Sequence, residues 1–205
     1  MPSARDARVF IVDDDDAVRD SLLVLLGNRG FAAQAFESAD KFLAAYKPEL
    51  GGCVLLDIRM PGMDGLALLK QLAEQYSGLP IIMMTGHGDV PTAVRAMRTG
   101  AFDFLEKPFT QDVIFGALER ALANVAAAPH RPAASAIVAR LETLTPRERE
   151  VLERIVSGAT NKEIARELDI SPRTVEIHRS RVMEKMETPT LPHLVRLAIS
   201  AGIGA

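Results

Sequence analysis

The stretch Val54-Leu55-Leu56-Asp57-Ile58-Arg59-Met60-Pro61 constrains the fold of this chain more than any other. Three apolar residues run straight into an aspartate, and the turn Met60-Pro61-Gly62 follows at once. A short apolar run closed by turn residues reads as a strand buried on both faces of a parallel sheet. Open α/β sheets bind their ligands beyond the carboxyl ends of the strands. Asp57 therefore stands where chemistry is expected, and the question is what else reaches the same edge.

The flanking sequence alternates strand and helix patterns. Strands are predicted over 8–12, 31–36, 52–56, 80–85 and 101–105. Helices are predicted over 17–28, 38–46, 64–75, 89–99 and 110–125, with Ser38 and Thr110 as caps. Such alternation describes a doubly wound α/β sheet. Right-handed crossovers suggest strand order 2-1-3-4-5, with the switch point between the first and third strands. That order sets Asp13 and Asp14 beside Asp57, and ends the fourth and fifth strands at Thr85 and Lys107 on the same edge.

At 205 residues the chain fits two small domains, and its charge divides accordingly. Residues 1–126 hold 12 Lys and Arg against 17 Asp and Glu, and residues 127–205 hold 12 against 10. An acidic half suited to a cation is thus joined to a mildly basic half. We place the first domain at 1–125 and a helical, proline-containing linker at 126–143. A small all-α domain of four helices takes 144–205. The linker rests on Pro129 and Pro132, which interrupt an alanine-rich stretch. Thr145-Pro146-Arg147-Glu148 reads as a capping box with proline at the first helical position. Two short helices joined by Asp169-Ile170-Ser171, the second basic, describe a helix-turn-helix. Cys53 is alone and precedes a buried strand, so it reads as packing. No apolar run approaches the ~18 residues of a membrane span, and no signal sequence opens the chain. A soluble, cytoplasmic protein with no membrane partner is expected.

Asp13, Asp14 and Asp57 would bring three carboxylates together, which calls for a cation between them. Oxygen ligands with open positions suit Mg²⁺, whereas Asp15 and Asp16 read as a solvated turn and helix cap. Lys107 precedes a proline, whose bias toward extended backbone can aim its ammonium at Asp57. Thr85 offers a hydroxyl. Carboxylate nucleophile, metal, ammonium and hydroxyl together fit phosphoryl transfer to Asp57. No base for hydrolytic turnover and no glycine-rich nucleotide loop is seen. The acyl phosphate is therefore expected to be a stored state, and the chain is not expected to be an enzyme.

These marks carry a resemblance. Asp13-Asp14, Asp57 within Asp-x-x-Met-Pro-Gly-x-Asp-Gly, Thr85-Gly86 and Lys107-Pro108 resemble the receiver domain of bacterial two-component response regulators. The resemblance implies a flavodoxin-like (βα)5 fold with Asp57 as phosphoacceptor. It implies Mg²⁺ held by Asp13 or Asp14, Asp57 and the Arg59 carbonyl, and a cis Lys107-Pro108 bond. It also implies that Thr85 and Phe104 are the switch residues and that a sensor histidine kinase is the phosphodonor.

In the second helix of the helix-turn-helix, ~100° per residue puts Val175, Val182 and Met186 on one inward face. Arg173, Ile177, Ser180, Arg181 and Glu184 lie opposite. An exposed isoleucine amid arginines suits a thymine methyl in the major groove, and Glu176 suits a cytosine amino group or a neighbouring arginine. Lys162, Thr174, Arg179 and Lys185 are better placed for phosphates. His178 reads as packed or phosphate-contacting. Residues 144–202 resemble the LuxR-type helix-turn-helix through Leu144-Thr145-x-Arg147-Glu148, Asn161-Lys162-Glu163-Ile164-Ala165 and Thr174-Val175-x-x-His178. Receiver and tail together resemble the NarL/FixJ family. The segments 85–91 and 191–196 resemble its nitrogen-fixation activators in particular.

That likeness implies a DNA-binding transcription activator acting with RNA polymerase at double-stranded promoter DNA, with nitrogen-fixation genes as its targets. Phosphorylation of Asp57 would drive homodimerisation and free the helix-turn-helix. Val94, Arg98 and Asp103 are expected on the dimer face. Two alternatives stay open: a regulator that works without phosphorylation, and a metal-dependent phosphatase.

Overall fold

The structure is a computed structural model, which describes residues 8–48, 51–76, 78–86, 88–126 and 134–203. Five strands, β1 (Arg8–Val12), β2 (Ala32–Phe36), β3 (Cys53–Asp57), β4 (Ile81–Thr85) and β5 (Asp103–Glu106), form one parallel sheet in the order β2-β1-β3-β4-β5. This is the predicted topology. The helices of the first part are α1 (Asp16–Asn28), α2 (Ala39–Ala45), α3 (Gly65–Gln75), α4 (Val90–Thr99) and α5 (Gln111–Ala126). Those of the second are α6 (Ala134–Glu142), α7 (Pro146–Val156), α8 (Asn161–Glu167), α9 (Pro172–Lys185) and α10 (Leu191–Ser200). Pro129 and Pro132, which define the proposed linker, lie outside the described residues.

By packing the chain divides into two compact units. One runs through Gly88 and resumes over Thr99–Ala128; the other joins Asp89–Arg98 to Pro129–Ala205. In the first unit the sheet is buried on both faces. Val9, Ile11, Cys53, Leu55, Ile82, Met84 and Leu105 form one continuous core with Leu22 and Leu26 of α1 and Ile114, Leu118 and Leu122 of α5. The alternate residues point to the opposite face, where Phe10 meets Phe36, Phe42 and Tyr46 ring to ring. Every residue of β3 and β4 is buried, which is why their sequences are continuous apolar runs rather than alternating ones. Burial pushes the Cys53 thiol pKa up, beyond the reach of thiolate chemistry.

In the second unit α7 to α10 are each capped by a threonine or serine. Thr145 and Thr160 make full capping boxes with Glu148 and Glu163, Ser171 caps α9 and Thr190 caps α10. Asp169, at φ 51°, makes the sharp turn between α8 and α9. Val151, Leu152, Ile155, Ile164, Val175, Val182 and Met186 fill the core, all fully buried. α6 is bound to this core by polar contacts. Arg149 donates to the Leu141 carbonyl at 3.3 Å, and Arg140 reaches the Met186 carbonyl at 3.3 Å and the Glu187 carboxylate. Part of the stretch read as a helical linker is thus the helix α6, tied by these contacts to α7 and to the end of α9.

Among the described residues no helix is long and apolar enough to cross a membrane.

Candidate functional site: an acidic pocket at the sheet edge and an exposed recognition helix

The carboxyl ends of β1, β3, β4 and β5 bring their terminal residues to one place. Asp13 follows β1 and is 1% exposed, and Asp57 ends β3 and is 6% exposed. Between them stands Lys107, whose Nζ donates to Asp13 Oδ2 and to Asp57 Oδ1, each at 2.6 Å. The Lys107-Pro108 bond is cis. The Lys107 backbone N–H is tied to the Thr85 carbonyl at 2.7 Å, so strand geometry fixes the base of the side chain. Thr85 is buried at the end of β4.

The remaining carboxylate oxygens are held by backbone. Asp57 Oδ2 accepts from Arg59 N at 2.6 Å, and Asp13 Oδ1 accepts from Asp15 N at 3.0 Å. Arg19 donates to the Asp13 carbonyl at 2.6 Å. Burial raises the Asp57 pKa and outweighs the lowering by Lys107. Burial alone would lower the Lys107 pKa, but hydrogen bonds to Asp13 and Asp57 prevail and raise it. The ammonium stays charged and screens two carboxylates at once.

Gly65 explains the last position of the motif after Asp57. A Cβ there would stand 2.0 Å from the Asp57 carbonyl oxygen, while Gly65 N donates to the Ile58 carbonyl at 2.9 Å. The chain after β3 folds back against the backbone of Asp57, and only glycine permits that approach. The motif contained this residue, but its role needed the geometry.

Three sequence expectations change. First, three carboxylates do not converge. Asp14 is exposed, and among the described residues no three acidic, histidine or cysteine side chains gather in a metal-holding group. Lys107 supplies the positive charge that the Asp13–Asp57 approach requires. Second, the residues named for a dimer face are not exposed together. Val94 is 2% exposed, on the covered stripe of α4 with Ala93, Ala96 and Met97. Asp103 is buried and paired with Arg120 of α5 at 2.7 Å, because a desolvated carboxylate needs a cation close by. Arg98 is exposed. Third, Lys185 does not face outward. It donates to the buried Glu148 carboxylate at 2.7 Å and to the Thr143 carbonyl at 3.0 Å.

The outward face of α9 is otherwise as predicted. Arg173, Glu176, Ile177, Ser180 and Arg181 are exposed, Ile177 at 48%, and Lys162 of α8 is exposed as well. Thr174 and Phe104 are half-buried. The Ser180 hydroxyl is taken up by the Glu176 carbonyl at 3.0 Å. His178 is half-buried with its Nδ1 covered and unpartnered, which favours its packed reading.

With both sites described, known proteins give a consistent reading. Residues 9–119 match the response regulator receiver domain, and residues 142–198 match the bacterial regulatory proteins of the luxR family. The chain belongs to the response regulators. This response regulator is 50% identical over 196 residues to the transcriptional regulatory protein FixJ of Bradyrhizobium diazoefficiens, covering 95% of this chain and 96% of that one. It is 50% identical over 200 residues to FixJ of Rhizobium meliloti, covering 97% and 98%. The crystal structure of full-length FixJ from B. japonicum is 48% identical, covers 96% of this chain and 97% of its own, and superposes with a TM-score of 0.56. The chain is a FixJ-like two-component response regulator with a DNA-binding domain.

Proposed function

We propose that Asp57 accepts a phosphoryl group from a sensor histidine kinase and that this switches a transcription activator. The observation that carries the reading is the Asp13–Lys107–Asp57 bridge at the sheet edge, in one chain with a helix-turn-helix.

The Asp57 carboxylate attacks phosphorus, the bond to the donor nitrogen breaks, and an acyl phosphate remains. Lys107 then moves its hydrogen bonds from carboxylate to phosphoryl oxygens, within reach because its backbone is anchored to Thr85. Thr85 supplies a hydroxyl to the same oxygens, and Phe104 turns in response. The donor set suits Mg²⁺, which takes one or two carboxylates with waters and phosphate oxygens. Asp13, Asp57 and the Arg59 carbonyl would hold it. The cation supplies charge neutralisation for the transferring group.

A phosphoryl group adds about −1.5 to −2 charge, where one ammonium now balances two carboxylates. The new charge drives homodimerisation, which sets two α9 helices over adjacent half-sites of promoter DNA and brings RNA polymerase. Likeness to FixJ favours nitrogen-fixation genes as targets and activation as the sign.

Acetyl phosphate with Mg²⁺ is expected to add a labile phosphoryl mass to the chain and shift it to a dimer on size exclusion. A chain that gains no such mass ends this reading. Continuous release of phosphate from small esters would instead favour a phosphatase.

A further inference from the structure

Four consecutive aspartates, Asp13 to Asp16, lead into α1, and only Asp13 meets Lys107. The rest of the run wires the turn that carries it. Asp15 N donates to Asp13 Oδ1 at 3.0 Å, and Asp15 Oδ1 caps α1 by accepting from Ala17 N at 2.8 Å. Asp16 pairs with Arg19, three residues further along the helix.

The Asp16 pair does not explain where Arg19 lies. Asp16 is 88% exposed, and a pair with so open a carboxylate contributes little. The Arg19 side chain is nevertheless only 12% exposed. What draws it inward is the Asp13 carbonyl, which accepts from Arg19 Nη1 at 2.6 Å. That carbonyl stands where the sheet stops. Asp13 N still donates to the Phe36 carbonyl at 3.1 Å, but the pairing of β1 with β2 and with β3 ends at Val12. A buried backbone acceptor beyond the last pair of a sheet needs another donor, and Arg19 supplies a charged one. Asp13 is therefore held on both sides of its Cα, by β2 through its N–H and by α1 through its carbonyl. From that fixed backbone its carboxylate reaches Lys107 Nζ at 2.6 Å.

We infer that Arg19 is a positioning residue for the pocket: bound to the Asp13 carbonyl, it fixes the direction in which the Asp13 carboxylate meets Lys107 and Mg²⁺. It touches neither the cation nor the phosphoryl group. The inference rests on the Mg²⁺ reading above and adds to it a residue of α1. Partners that orient a metal ligand from outside set metal affinity, and losing one weakens it about tenfold or more.

Charge and position predict opposite signs. As a nearby cation alone, Arg19 would repel Mg²⁺, and its removal would tighten binding. As an anchor for Asp13, its removal loosens binding.

The test uses the full chain and Mg²⁺ alone. A titration followed by backbone amide chemical shifts reads affinity, and thermal melts without Mg²⁺ read stability. R19M should bind Mg²⁺ about tenfold more weakly. Its phosphoryl uptake from acetyl phosphate should need correspondingly more Mg²⁺ yet reach the wild-type rate at saturation. R19Q, whose shorter amide falls short of the carbonyl, should show the same loss and decides the matter if R19M does not fold. R19K keeps a donor on a long stem and should recover most of the affinity. D16N leaves the bond to the carbonyl in place and should bind Mg²⁺ as the wild type does.

A lowered melting temperature in R19M or R19Q with wild-type Mg²⁺ affinity would make Arg19 structural only and overturn the inference. Tighter binding in either variant would overturn it too, and so would an equal loss in D16N, which would move the effect to the ion pair. A wild-type chain whose amides did not respond to Mg²⁺ would sink the cation reading and this inference with it, whereas equal affinity in wild type and R19M would remove only the role of Arg19.

Discussion

The pocket at the sheet edge and the outer face of α9 treat charge in opposite ways. In the pocket, Asp13, Asp57 and Lys107 are largely buried and satisfy one another, with backbone N–H groups taking the remaining oxygens. On α9, Arg173, Glu176 and Arg181 are exposed, and the half-buried Arg179 keeps a covered Nη1 without an acceptor. On the proposed reading the first region, internally complete, acts by being disturbed, and the second acts through what docks on its exposed side chains. Substitutions should therefore couple stability and function in the pocket, and separate them on α9.

The strongest break of this comparison is Asp57→Asn. It keeps the shape of the side chain but removes the nucleophile, so phosphoryl uptake from acetyl phosphate should vanish altogether, and with it the shift to dimer. Mass spectrometry and light scattering read both. A variant that still dimerised on addition of the donor would separate dimerisation from this pocket.

Lys107→Met comes next. It leaves Asp13 and Asp57 facing each other without a counter-charge, and should cost about 3 kcal/mol at neutral pH, as for other broken buried pairs. The pH dependence has a definite sign. Lys107's proton affinity is raised in the fold, so its contribution is complete below the ordinary lysine pKa and is lost as pH rises through the raised value. The wild type should thus lose stability in the alkaline range while K107M, which lacks the group, does not follow it. Asp57's pKa is raised by burial, so K107M should recover stability as pH falls toward the carboxylate range. Thermal melts over the pH range check both, and parallel curves for the two proteins would mean that the ammonium does not hold the pocket.

The same contrast explains how much the sequence disclosed. Strand order and the meeting of Asp13, Asp57, Thr85 and Lys107 were legible because backbone alone dictates them: each residue ends a buried strand at one edge. What side chains do beyond that edge was less legible. Asp13 and Asp14 are neighbours, but the chain bends at Asp14 as it leaves β1, and only Asp13 meets Lys107. Asp103 finds Arg120, 17 residues later on a different element, which no local spacing announces. Lys185 could have been suspected. It follows the core residue Val182 by three positions, which turns it toward the buried flank of α9, where Glu148 waits. The apolar nature that suggests a contact face for Val94 is the same property that buries it.

Lys185→Met sharpens the comparison at the inner edge of α9, since this cation, unlike Arg179, is partnered. The buried Glu148 carboxylate would lose its ammonium, at a cost of about 2 kcal/mol, below the usual figure for a buried pair because the lysine is partly exposed. The hydrogen bond from Lys185 lowers the Glu148 pKa, so the stabilisation is present above the ordinary carboxylate pKa and lost as pH falls through the lowered value. The melting-temperature gap between wild type and K185M should narrow in acid. A gap that stayed constant would assign the loss to packing of the lysine stem instead.

Ile177→Ala should have the smallest effect and the most selective one. The side chain is 48% exposed, so removing it takes little from the core and the melting temperature should barely move. Its proposed work is apolar contact with a thymine methyl, about 1 kcal/mol or roughly fivefold in affinity. Because the contact carries no charge, the salt slope should match that of the wild type, and the loss should fall on sequences with thymine at one position. Selection of bound duplexes from a random pool separates the possibilities: relaxed preference at a single base pair supports a groove-facing isoleucine, while unchanged preference would turn that face of α9 away from the bases and leave its arginines as phosphate contacts only.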